Sequence, residues 1–429
     1  MGKVTPATRR WLIAGAGIII QLCLGTVYAW SIFKKPMMAS HGWSETQTQW
    51  AFMIYGLVFA MAVAFGGALV DRKGPRIIGI TGGVLFGTGI LLGGLANDLQ
   101  SIGLLIVGYG FIGGLGGGFA YVTPITTLIR WFPDKRGLVT GLAVMGYGMG
   151  PFFMGNIGPV LIMNAGVADA FYAWGGTCLA ILLCSAMMLR NPPEGWQPPM
   201  PGGTDVHTAL VLESLTFDQA VRSSKFWILW LMLFVSITAG LGLISQLSPM
   251  AQDVMTSAYP GAIPAEQVRS IVIVSGIIVA IAGIFNGLGR LLWAWVSDMV
   301  GRKVVFFIIF LSLAVGFALL PHVGHIALFT GLTCYLLACY GGSMASMPAL
   351  VADEFGSAHI GKIYGVIFTA CGLASLFGPF LFAFIKERTG SFTHALYAEA
   401  ALATLGIALT FFVVKRRAVT GGPEERLHP

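Results

Sequence analysis

The sequence predicts an all-α polytopic membrane protein whose twelve transmembrane helices form two pseudo-symmetric six-helix bundles. Hydrophobic residues make up 56% of the 429 positions and charged residues only 10%, against about 25% charged in soluble domains. The apolar residues run continuously over lengths of about 20 residues rather than alternating over ten, which argues for helices and against a barrel. Sequence markers also recur at one fixed spacing in the two halves.

Apolar runs between turn and charge clusters place the spans at 11–33, 48–70, 77–95, 102–128, 138–163, 169–188, 226–250, 268–296, 304–320, 326–350, 363–385 and 394–414. Residues 11–188 and 226–414 form the two bundles. The stretch 189–225, with Asn-Pro-Pro, Gln-Pro-Pro and Pro-Gly-Gly, reads as a cytoplasmic linker. In span 4, Gly113, Gly114, Gly116, Gly117 and Gly118 repeat at small-residue spacing suited to close helix approach. No strand or lysine accompanies them, so they are not a phosphate loop, and direct ATP coupling is not expected.

Lysine and arginine set the orientation. Of the 25 in the chain, only Lys34, Lys35, Arg269, Lys386 and Arg388 fall in the expected outer loops and Arg290 within a span. The remainder lie on the side of both termini, which are therefore expected in the cytoplasm. The net charge of +7 is then a matter of topology and does not point to nucleic acid. No small-residue cleavage pattern follows Lys3, Arg9 and Arg10, so no cleaved leader is expected. A plasma membrane, bacterial and inner, is the expected location.

The halves echo each other. Asp71, Arg72, Gly74 and Arg76 follow span 2; Asp298, Gly301 and Arg302 follow span 8. The Asp and Gly pairs stand 227 residues apart, and Gly150-Pro151 precedes Gly378-Pro379 by 228. Three markers at one spacing indicate a duplicated six-helix unit, and parallel repeats place a substrate site at their interface near the midplane. The aspartate of each loop is expected to cap a helix and pair with basic residues of neighbouring helices, latching the cytoplasmic side.

Arg290 lies inside span 8, about 12 Å of helical rise from Asp298. A guanidinium at that depth costs roughly 2.5–3.5 kcal/mol on insertion scales, so it should face a polar pathway and an anion. No acidic residue in the other apolar runs is deep enough to be its partner, which makes the cargo the expected counter-ion. Asn286 stands one turn away on the same face, and its amide can donate to a carboxylate. Tyr28, Tyr121 and Tyr340 sit deep in spans 1, 4 and 10, where each hydroxyl needs a partner. Packing alone would also account for any one of them. The six cysteines fall in apolar runs without metal-site spacing, and the seven histidines in loops or tails; no cofactor or metal is expected, and no enzyme activity.

The paired loop motifs resemble those of the major facilitator superfamily over essentially the whole chain. A narrower similarity is to its oxalate:formate antiporter and monocarboxylate transporter branch. It rests on Gly25-Thr-Val-Tyr28-Ala-Trp30, on Arg130-Trp-Phe-Pro-Asp-Lys-Arg-Gly137, on Gly146-Tyr147-Gly148, and on Phe285-Asn286-Gly287-Leu-Gly-Arg290. The resemblance implies that Arg290 binds substrate. It also implies that Tyr28, Tyr121 and Tyr147 line the path, with Tyr340 and Phe368 where such proteins carry tryptophan. Where the oxalate carrier of the branch has a lysine in span 11, this chain has Cys371. A second substrate charge would then go uncompensated, at about 4 kcal/mol for charges 4 Å apart in a medium of dielectric near 20. A monocarboxylate such as lactate, pyruvate or formate is therefore expected. Animal monocarboxylate transporters carry an aspartate at the position of Asn286, so their proton step does not transfer.

An acid with a pKa near 4 is about 99.9% ionised at pH 7, and moving the anion alone works against about 2.3 kcal/mol per 100 mV. Co-transport of a proton cancels this, so proton symport by a monomer is expected, with Glu266, Asp253 and Glu387 as the available titratable groups. Obligate anion exchange is the alternative. A non-transporting carboxylate sensor is more remote, because the linker and short tails offer no output domain.

Overall fold

The computed structural model describes residues 6–132, 136–193, 215–257, 259, 261–356 and 359–412. Among them, twelve helices are long and apolar enough to cross a membrane. The first six are α1 (Thr8–Ala29), α2 (Glu45–Lys73), α3 (Pro75–Asp98), α4 (Ile102–Trp131), α5 (Leu138–Ala165) and α6 (Val167–Met188). The last six are α7 (Ser224–Thr256), α8 (Ala265–Val300), α9 (Arg302–His322), α10 (Ile326–Phe355), α11 (Ile360–Thr389) and α12 (Thr393–Phe412). Most of the linker expected over 189–225 lies outside the described residues.

Local chemistry sets the ends. Ser44 and Gln47 form a reciprocal capping box at the start of α2, satisfying donors that the first turn leaves free. Gly74 (φ 84°) ends α2 and Gly301 (φ 93°) ends α8, in a backbone region that side chains disfavour. These glycines, rather than the expected aspartates, terminate the helices at both repeat loops; no side chain caps α3 or α9.

The helices outrun the apolar segments. At 36 residues, α8 extends about 54 Å at 1.5 Å per residue, well beyond a hydrocarbon core of about 30 Å. Arg269, Lys386 and Arg388 therefore lie on helix ends instead of loops. Lys34 and Lys35 lie in a helix, Ser31–His41, that continues α1 after a 3₁₀ turn at Thr26–Ala29. Hydropathy marks the lipid-crossing part of a helix and says nothing of its continuation.

Glycine lets the two sets of helices meet. A Cβ on Gly155 of α5 would lie 2.6 Å from the Gly276 carbonyl of α8, and one on Gly148 would lie 2.8 Å from Gly287. A Cβ on Gly56 of α2 would lie 2.4 Å from Ser375 of α11. Within the first set, Gly116 abuts α3 and Gly118 abuts α2, the close approach expected of the span 4 glycines.

An even number of spans returns the chain to the face on which it started; the opposite face is here termed distal. On the distal side residues 23–34 and 235–252 are buried without a break, and polar bonds cross between the bundles. Lys35 pairs with Asp253 at 2.8 Å and Lys386 with the same carboxylate at 2.7 Å. Glu387 accepts from the Ser44 hydroxyl and from the Thr46 amide and hydroxyl at 3.1, 2.9 and 2.5 Å. Lys34, completely buried, bridges Glu45 at 2.6 Å and Gln246 at 2.8 Å.

On the terminal face, the ion pairs among the described residues stay within one bundle. Asp71 pairs with Arg130 of α4. Arg302 pairs with Asp298 at 2.8 Å and with Asp353 of α10 at 2.6 Å. Arg72 and Arg76 are exposed. The two motifs thus brace neighbouring helices inside each bundle in this closed-distal state, while the polar contacts between bundles lie on the distal face. Of the 130–137 motif, residues 133–135 fall outside the described set.

Candidate functional site

The site lies where helices are interrupted. Tyr28 sits on the 3₁₀ turn within α1, and Phe368 marks the break in α11 between Ile360–Ile367 and Thr369–Thr389. Gly150 separates the two parts of α5. Such breaks redirect side chains and free backbone groups toward a cavity.

A cavity of about 50 Å³ lies between the bundles. From the first bundle it is lined by Val27, Tyr28, Phe52, Tyr55, Gly56, Phe59 and Tyr147. The second contributes Ile237, Leu241, Tyr340, Met344, Phe368, Cys371 and Ser375. At one edge the Tyr28 and Tyr340 hydroxyls bond to each other at 2.8 Å across the bundle interface. The Tyr28 and Tyr147 rings meet edge-on with centroids 5.1 Å apart.

Behind these phenols lies Arg290, only 1% exposed. Its guanidinium carbon stands 5.9 Å from the centre of the Tyr147 ring, and Tyr28, Tyr121, Tyr340 and Tyr147 are its electrostatic neighbours. Nε makes a long contact of 3.5 Å with the Asn286 amide oxygen, while both terminal nitrogens lack a hydrogen-bond partner. Glycines make room for this side chain: a Cβ on Gly341 would lie 3.1 Å from Arg290 Cγ and one on Gly148 3.1 Å from Nε. The N–H groups on two unpartnered nitrogens of a buried cation are expensive to leave unpaired, and a carboxylate can accept one from each nitrogen at once.

The structure thus gathers Arg290, Asn286, Tyr28, Tyr121, Tyr147 and Tyr340 in one place, with Phe368 and Cys371 lining the same cavity. Tyr121 and Asn286 adjoin Arg290 but do not line the cavity. The proton candidates lie elsewhere: Asp253 and Glu387 belong to the distal seal, and Glu266 is exposed in the first turn of α8. Asp253 and Glu387 stand on helix ends rather than in loops.

Two completely buried charged side chains among the described residues escape the sequence reading. Glu399 in α12 is 0% exposed, with both carboxylate oxygens unpartnered; an acid five residues into span 12 was the available signal. It makes no ion pair with Arg290. Lys34, read as a loop residue, is buried deeply enough that desolvation pushes its ammonium below the usual lysine range, opposed by the Glu45 carboxylate. Already neutralised by Glu45, it is no second cation for a dianion. Glu45→Gln should leave Lys34 as an uncompensated buried charge, costing about 3–5 kcal/mol. Thermal unfolding should register that loss, and adding Lys34→Met in the same chain should recover most of it.

Twelve membrane-length helices in two bundles, closing on a cavity between them, define a polytopic transporter rather than an enzyme. The chain belongs to the Major Facilitator Superfamily, whose model matches residues 15–379 and, in a second match, 247–428. It is 29% identical over 431 residues to the oxalate:formate antiporter of Oxalobacter formigenes, covering 97% of this chain and 96% of that protein. It is 25% identical to apicoplast pyruvate carrier 1 of Toxoplasma gondii (95% and 89% covered). Identity to monocarboxylate transporter 14 of Mus musculus is 23% (92% and 88% covered). The fold matches a solved bacterial homologue of the human lysosomal transporter Spinster with a TM-score of 0.69 at 15% identity, covering 96% of this chain and 98% of that one.

Proposed function

We propose that this protein is a secondary active carrier of a small monocarboxylate, of the lactate, pyruvate or formate kind, across a plasma membrane in symport with a proton. The observation that carries this reading is the buried Arg290 guanidinium with two unpartnered nitrogens beside an inter-bundle cavity. A single carboxylate satisfies both nitrogens and neutralises the charge. Residues 11–188 and 226–414 then rock about the cavity, with 189–225 as the linker and both termini cytoplasmic. Opening the distal side requires breaking the Lys35–Asp253 pair and the Glu387 contacts to Ser44 and Thr46, which gives these two acids a place in the cycle at which protonation would act. Glu266 is the third candidate. The cavity lining carries no second cation at Cys371, which favours monoanions.

Anion exchange is the second reading, favoured by the similarity to an oxalate:formate antiporter over nearly the whole chain. Proteoliposomes separate the two. Symport predicts saturable uptake of labelled lactate, pyruvate or formate into empty vesicles that rises when the outside is acidified. Uptake that ignores the pH gradient and requires a preloaded anion would establish exchange instead. Absence of both would end the carboxylate assignment.

A further inference from the structure

We propose that Tyr55 is a specificity-determining residue of the Arg290 site, its hydroxyl bonding the oxygen on the second carbon of the substrate. Acids with a 2-hydroxy or 2-oxo group, of the lactate and pyruvate kind, are then held more tightly than propionate. The inference rests on the reading of Arg290 as the carboxylate site and narrows the substrate class within it.

Tyr55 of α2 lines the cavity together with Tyr28, Tyr147 and Tyr340. It is only 3% exposed, and its hydroxyl has no hydrogen-bond partner. The Tyr28 and Tyr340 hydroxyls, in contrast, are bonded to each other. Room for the Tyr55 hydroxyl is made by Gly117 of α4, where a Cβ would approach it to 2.3 Å. Gly117 stands one turn before Tyr121 on the same face of α4, and Tyr121 is an electrostatic neighbour of Arg290. Phe59 joins these groups, its ring centroid 6.0 Å from that of Tyr55, 5.2 Å from Tyr121 and 5.8 Å from Tyr147. Tyr28 and Tyr147 are electrostatic neighbours of Tyr55 and of Arg290 alike. The unbonded hydroxyl thus belongs to the aromatic cluster that surrounds the guanidinium.

A buried hydroxyl without a partner is costly for the same reason as the two guanidinium nitrogens. One small ligand can satisfy both if it carries a carboxylate and an oxygen on the adjacent carbon. A phenol O–H donates to a ketone or a hydroxyl oxygen, and its own oxygen accepts from a hydroxyl. Lactate and pyruvate both offer that second oxygen. Propionate places a methylene there and formate has no second carbon, so neither gains from Tyr55.

Tyr55→Phe keeps the ring and removes the hydroxyl. The test compares the half-saturating concentrations of labelled lactate, pyruvate, propionate and formate for uptake in proteoliposomes. In the unmodified protein, lactate and pyruvate should saturate at concentrations about tenfold below propionate. Tyr55→Phe should raise the lactate and pyruvate values about tenfold and leave those of propionate and formate where they were. Its melting temperature in detergent should be unchanged or raised, since the lost group is unpartnered in the fold. Propionate equal to lactate in the unmodified protein, or all four acids moving together in Tyr55→Phe, would overturn this inference and leave the carboxylate reading standing. So would a lactate preference that survives Tyr55→Phe and is lost in Tyr147→Phe. Uptake of every acid unchanged by Arg290→Ala, or no uptake of any, would overturn both.

Discussion

Arg290→Ala is expected to lower carboxylate uptake by about a hundredfold or more, because two charge-assisted hydrogen bonds to the substrate are lost at about 1.5–3 kcal/mol each. Arg290→Lys should fare little better, since an ammonium keeps the charge but cannot present two parallel N–H groups to one carboxylate. The accompanying expectation concerns stability. Without substrate this guanidinium is a buried cation with two unsatisfied nitrogens, so its removal should leave the melting temperature unchanged or raised. Uptake in proteoliposomes and thermal unfolding in detergent read the two quantities separately. A structural arginine would show the reverse, with a lowered melting temperature and uptake reduced only in proportion to folded protein.

The second large effect concerns the glycine crossing of α5 and α8. A Cβ on Gly276 would fall 2.4 Å from both the Gly155 carbonyl oxygen and the Pro159 ring, and neither a backbone carbonyl nor a proline ring can rotate aside. Gly276→Val should therefore destabilise the closed-distal state by about 1–3 kcal/mol, shifting the balance toward the distal-open form by about five- to a hundred-and-fifty-fold. Uptake should fall because one half of the cycle becomes inaccessible. A Ser248→Cys reporter, at a position buried in this structure, should become reactive to a membrane-impermeant thiol reagent from the distal side in the Gly276→Val background. Unchanged labelling would remove the crossing from the gating machinery.

Much of this architecture was legible beforehand, for identifiable reasons. Twelve spans follow from the cost of placing polar backbone or charge in lipid, which leaves a continuous apolar record. Arg290 announced itself because that same cost makes a lone cation conspicuous. The cluster of Tyr28, Tyr147 and Tyr340 around it came from a string resemblance, and the structure brings those rings together. What stayed hidden was everything whose chemistry matches lipid. Phe52, Phe59, Ile237 and Leu241 face the cavity, yet in sequence they are indistinguishable from residues facing hydrocarbon. Helix ends were hidden too, since Lys34 reads as loop by charge while its backbone continues a helix and its side chain is sealed inside. Aspartates in the repeat loops read as helix caps, but backbone conformation assigned that task to Gly74 and Gly301.

The cavity draws its walls equally from helices before and after the linker, and the Tyr28–Tyr340 bond spans the seam. A six-helix fragment made alone would therefore own only half a vestibule, with the guanidinium on one fragment and the first of its phenols on the other. A repeat of this kind completes the cavity only when paired with its counterpart, one supplying the cation and the other much of its aromatic surround.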